Sequence, residues 1–169
     1  LIDRDKDRAI EILTDVINTT PARYDAHWTA AMRRKIGLTT EHAADGELIG
    51  GLLTAMHQGG ADFTLVFRHL ATALRGNAIP VQGQFARLSG EGVEAEARAD
   101  AMDRINPIYI PRNHKVEEAL TAAVEHEDMS PFEALLAAVS HPFDVIAGQE
   151  NYAEPGPQTA MPYQTFCGT

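Results

Sequence analysis

The chain has 169 residues, 44% of them hydrophobic and 22% charged, a globular composition that excludes intrinsic disorder and fits one compact domain. Its formal net charge of −10 argues against the clustered basic surface that nucleic acid or an anionic membrane would need. A single cysteine, Cys167, excludes an internal disulfide scaffold, and the sequence has neither a long apolar run nor a signal peptide.

Helical periodicity dominates from the start. A first helix is predicted over about Asp3–Asn18, with Ile10, Leu13 and Ile17 on one face. Asp3, Asp5 and Asp7 have the spacing of a calcium loop, but Arg8 and Thr14 stand where glycine and glutamate are required. The aspartates therefore suit a helix N-terminus instead. Thr20-Pro21 reads as an N-cap and a first-turn proline opening a second helix, which Gly37 ends. Tyr24, Trp28, Ala31 and Met32 form its apolar stripe, and Arg33-Arg34-Lys35 suits its C-terminal dipole.

A third helix covers about Asp45–Gln58, with Leu48, Ile49, Leu52, Leu53 and Met56 facing inward and Gly59-Gly60 as its stop. Asp62 caps a fourth, whose stripe is Phe63, Val66, Phe67, Leu70 and Leu74 and whose end is Gly76. Residues 75–92 hold Pro80 and four glycines and read as a loop with one short helix. A charged fifth helix spans about Glu91–Arg104. Pro107 and Pro111 then prevent helix through residues 106–111.

Asn113 is the expected cap of a sixth helix, with Val116, Ala119, Leu120, Ala123 and Val124 inward. Ser130-Pro131-Phe132-Glu133 combines a cap, a first-turn proline and a capping-box glutamate, followed by Leu135, Leu136 and Val139. No stretch alternates like a strand. The expectation is all-α: an irregular array of six to seven short helices over residues 1–141, then an extended Pro/Gly-rich tail over 142–169.

The chemistry-bearing residues are scattered. The seven histidines (His27, His42, His57, His69, His114, His126 and His141) match no metal-ligand spacing, and His126-Glu127-Asp128 reads as a solvated helix end. Gly90-Glu91-Gly92 lacks the third glycine of a phosphate loop and carries a repelling glutamate. Asp62-Phe63-Thr64 is superficially like a kinase metal triplet but sits at a helix start. No catalytic, cofactor-binding or metal-binding residue is assigned within the chain. Cys167 is the one reactive group, and its thiol has no sequence neighbour that would lower its pKa.

Several blocks resemble, in order, the C-terminal region of the selenoprotein O family of kinase-like protein adenylyltransferases. They are Tyr24-Asp25-Ala26-His27-Trp28, Met32 through Leu38, Asp45 through Ile49, Asp62-Phe63-Thr64 and Phe67-Arg68-His69-Leu70. Met102 through Asn113, His141-Pro142-Phe143-Asp144, Tyr152-Ala153 and the terminal Cys167 follow. The resemblance implies the C-terminal part of a protein-kinase-like fold. It implies a parent enzyme that moves AMP from ATP to Ser, Thr or Tyr hydroxyls of protein substrates with Mg or Mn. In the family the ATP and metal residues lie upstream of these blocks, so this chain would support catalysis without performing it.

The same resemblance makes Cys167 a redox candidate, able to pair with a cysteine of the catalytic part. It implies a cytoplasmic bacterial protein with mitochondrial eukaryotic relatives, partnered by its own upstream portion and by protein substrates, with neither nucleic acid nor membrane. Gly168 and Thr169 replace the family's usual two serines, and His114 stands where an aromatic residue is common. The chain opens on Leu1 and a charged run, as a piece cut from a longer protein or freed from a tag would, and such a piece has an apolar patch through which to self-associate. Two other readings stay open: a stand-alone helical interaction module, and a small-molecule enzyme using the histidines.

Overall fold

The computed structural model describes residues 2–76 and 87–157. Among these, the chain is all-helical: α1 (Lys6–Lys35), α2 (Asp45–Gln58), α3 (Phe63–Arg75), α4 (Ala95–Asp103), α5 (Asn113–His126) and α6 (Ser130–Ser140), then a 3-10 turn at Glu150–Tyr152. Residues 87–89 are also helical. No described residue is in a strand.

The two helices expected before Gly37 are one helix of 30 residues. Pro21 lies inside it and has no N–H for the Ile17 carbonyl, but Ile17 is exposed, so water can take that bond. The Thr20 hydroxyl bonds back to the Val16 carbonyl at 2.6 Å, and Thr19 to that of Asp15 at 2.8 Å, so these threonines continue the helix instead of capping a new one. Asp5 is the true cap, accepting the Asp7 and Arg8 N–H groups.

Two other expected caps move. Asn113 and Ser130 are already helical, and neither caps with its side chain. At α6 the Asp128 carboxylate instead accepts both the N–H and the hydroxyl of Ser130. The fifth predicted helix starts at Ala95 instead of Glu91, because Gly92 takes a positive φ of 63° that breaks the helical path before it. Asp62 does cap α3, through the Leu65 N–H at 2.8 Å. Gly37, at φ +82°, takes the left-handed turn that ends α1.

The core gathers the last turns of α1 (Met32, Ile36), α2 (Ile49, Leu52, Met56), α3 (Phe67, Leu70, Leu74) and α4 (Ala99, Met102). Here α3 packs on α4, and α2 on α1, while α5 and α6 form an antiparallel pair of their own. Several residues expected inside are outside: Ile10, Leu13, Ile17 and Tyr24 on α1, Phe63 on α3, and Leu120, Val124, Phe132 and Leu136 on α5 and α6. Their helical spacing is real, but no described element covers those faces.

Phe67 is fully buried and tilts against Phe63 at a centroid distance of 4.8 Å, with the Lys35 ammonium 4.9 Å from its own ring centroid. Replacing it by alanine opens a cavity between α1, α3 and α4 and should cost about 3–5 kcal/mol, read as a lowered urea midpoint with little change in slope.

Candidate functional site

Two arginine–carboxylate clusters, each bridging segments about 50 residues apart in sequence, fix the geometry of this fold. The first is centred on Glu91. Its carboxylate accepts the N–H and hydroxyl of both Thr39 and Thr40, and pairs with Arg87 at 2.9 Å and Arg98 at 2.7 Å. Burial alone would raise its pKa, but the hydrogen bonds from Arg98, Thr40 and the two backbone N–H groups outweigh that and hold it well below the usual carboxylate range. Arg98, itself 3% exposed, also donates to the Gly37 and Leu88 carbonyls.

Asp45 extends this cluster. It is 1% exposed and accepts from Arg87 Nε at 3.0 Å and from the His42 N–H at 2.8 Å. Arg33 Nε lies 3.3 Å from it without hydrogen-bond geometry, so that contact is coulombic. The turn leaving α1 is thereby tied to α2 and to the approach to α4. Gly37 sits at the tightest point, where a Cβ would lie 2.6 Å from Met102 Sδ.

The second cluster holds residues 106–112. Arg112 makes a two-pronged pair with Asp62, at 2.8 and 3.1 Å, and this pair, with burial opposing it, keeps the Asp62 carboxyl below its ordinary pKa. Arg68 donates to the Asp103 and Asn106 carbonyls, and Asn106 Nδ2 donates to the Lys35 carbonyl at 2.8 Å. The Pro142 carbonyl accepts from Ile108 N–H at 2.7 Å, and the Tyr109 hydroxyl accepts from Ile146 N–H at 3.1 Å. Residues 142–146 therefore lie against the proline-bounded segment.

Beside that segment an open groove of about 540 Å³ is lined by Ile110, Pro111, Arg112, Asn113, His114 and the Gly156-Pro157 stretch. A Cβ at position 156 would stand 3.0 Å from His114 Nδ1, so the backbone passes close over the imidazole. The groove brings together no nucleophile, base and oxyanion donor. Among the described residues no three His, Cys, Asp or Glu side chains are placed to hold a metal ion. His114 and His126 lie along one face of α5 with Glu117 and Glu118 between them, and the remaining histidines are spread over other elements. Cys167 lies outside the described residues.

The chain is 46% identical, over its whole length, to a protein nucleotidyltransferase YdiU from Mycobacterium sp. (strain KMS), of which it covers 36%. This chain belongs to the YdiU family. It is likewise 42% identical to YdiU of Geobacillus kaustophilus (strain HTA426) and 38% identical to YdiU of Agrobacterium fabrum (strain C58 / ATCC 33970), in both cases over the whole chain. It spans 37% and 38% of those two proteins, so about a third of the length of the YdiU relatives it matches. No protein-family model matches the chain.

The resembling blocks at 62–64, 67–70, 102–113 and 141–144 are distant in sequence and adjacent in the fold, joined by the bonds of the second cluster. Sequence reading missed Glu91, Asp45, Arg87 and Arg98 as a unit. Arg87 and Glu91 stand at the i,i+4 spacing of a helical ion pair, which was the local signal available, but the groups that they and Arg98 hold at Gly37, Thr39, Thr40 and Asp45 are 42 to 61 residues away, beyond any local pattern.

Asp62→Asn keeps the α3 cap, since Asn caps as well as Asp, while removing the charge that Arg112 needs. It should cost about 3 kcal/mol by chemical denaturation at neutral pH. Because the folded pKa of Asp62 is lowered, its contribution is present above the unfolded value near 4 and is lost as pH falls through the folded value. The gap between parent and variant should therefore shrink on acidification below about pH 4.

Proposed function

We propose that this chain is the C-terminal, non-catalytic portion of a YdiU-type protein nucleotidyltransferase, buttressing a kinase-like catalytic lobe supplied by the rest of that polypeptide. The observation that carries this reading is the match along the whole chain to about a third of proteins named YdiU protein nucleotidyltransferase. The two clusters support it. They spend their arginines and carboxylates on one another and on backbone carbonyls, as a rigid scaffold requires.

In the whole protein, AMP would pass from ATP to a Ser, Thr or Tyr hydroxyl of a substrate protein, with pyrophosphate leaving and Mg or Mn bound by upstream residues. Cys167 would serve regulation. Its thiol and one on the catalytic portion would give two electrons and two protons to a disulfide oxidant and close a bridge between the two portions. A second reading, a helical interaction module, is favoured by the exposed Leu120, Val124, Phe132 and Leu136 on α5 and α6.

Incubation with labelled ATP and Mg or Mn tests the first reading. The full-length protein should label itself or a substrate protein, and the 169-residue chain should not. Labelling by the chain alone would place an active site here, and silence from both would favour the interaction module. Separately, the full-length protein should lose activity on oxidation, and its Cys167→Ser variant should be equally active in oxidising and reducing buffer. An unchanged redox response in that variant would remove Cys167 from regulation.

A further inference from the structure

The first two thirds of α1 form an arm that the described fold does not cover. Every residue from 10 to 27 is exposed, and packing begins only at Trp28 and Met32. Polar composition would explain an exposed arm, but this one carries large apolar side chains on one side. Ile10, Leu13, Ile17 and Tyr24 recur at helical spacing, with Val16 beside them, and are 43–69% exposed. Most helix stability in proteins comes from packing an apolar face against a neighbour, which this arm lacks. The arm also contains Pro21, which removes a hydrogen bond from its middle. The stripe is the natural source of the missing stabilisation.

We infer that the Ile10–Tyr24 stripe of α1 is the docking surface for the remaining two thirds of the YdiU-type polypeptide, folded in cis against this arm. The inference rests on the proposed function and names the surface that function uses. Two observations select this occupant. The YdiU relatives extend well beyond the part this chain matches, which covers 36% to 38% of them. A portion joined by the same backbone faces the stripe at an effective concentration near the millimolar range, which a second copy reaches only in concentrated solution. A second copy would also bring its own net charge of −10, and the arm with the residues leading into it is acidic on balance, with Asp3, Asp5, Asp7, Glu11, Asp15 and Asp25 against Arg4, Lys6, Arg8 and Arg23.

Cysteine labelling in the full-length protein tests this. Ile17→Cys and, separately, Val145→Cys, both about 70% exposed in the described fold, are alkylated and the labelled peptides are quantified by mass spectrometry. Position 17 should react at least about tenfold more slowly than position 145, because reaction there requires the docked portions to open. Equal rates would overturn the inference. So would protection at position 17 that vanishes on dilution as the protein becomes monomeric by sedimentation, since the stripe would then belong to a second copy. Labelling reads packing and not AMP transfer. An inactive but protected protein therefore fails only the proposed activity, and an active, unprotected one fails only this inference.

Discussion

A single buried carboxylate holds the described fold in register. Glu91 accepts hydrogen bonds from the N–H and hydroxyl groups of two consecutive threonines and pairs with two arginines, while lying under the turn that leaves α1. Such a group is costly to bury and tolerable only when nearly all its lone pairs are used. Here the charge draws Arg87 and Arg98 inward. Those arginines in turn satisfy the Thr40 and Gly37 carbonyls, and Arg98 shares the Leu88 carbonyl with the Glu91 N–H. The cluster specifies where α1 stops and how α4 crosses it, a task that hydrophobic burial alone leaves loosely defined.

The second cluster does the same for the non-helical part. Residues 106–111 can form no helix because of their prolines, so their backbone groups need partners from elsewhere. Arg68 supplies donors to the carbonyls of Asp103 and Asn106, and the loop after α6 supplies the Pro142 carbonyl. Arg112 closes the segment onto the cap of α3 through Asp62, which thus serves a helix end and an ion pair with one carboxylate. The residues of this cluster are in this sense a polar joint between the α3–α4 and α5–α6 layers.

What sequence made legible was whatever depends on near neighbours. The helical class, α2 to the residue, the Asp62 cap and the Gly37 stop all follow from periodicity and from one- to four-residue signals. The Thr20-Pro21 signal was locally correct as a helix start and globally wrong, because threonine hydroxyls can also bond backward within a helix. The inward or outward sense of a stripe was not legible at Ile17 or Leu136: spacing tells which residues share a face and not whether anything lies opposite it. The Glu91 and Asp45 cluster was invisible for a simpler reason. Its two halves, residues 37–45 and 87–98, are far apart in sequence, and an acidic residue between two glycines looks like surface.

The close approach at Gly37 also couples positions that sequence keeps apart. Any side chain there would collide with Met102 Sδ and crowd the stem of Arg98, and the positive φ penalises it independently. A change at 37 is therefore admissible only alongside changes at 98 and 102, and the three substitutions would be strongly non-additive. Arg98 cannot yield alone, since it is a partner of Glu91. Three residues on two elements, the turn after α1 and helix α4, thus behave as one unit of inheritance, and drift at any of them is held back by the other two.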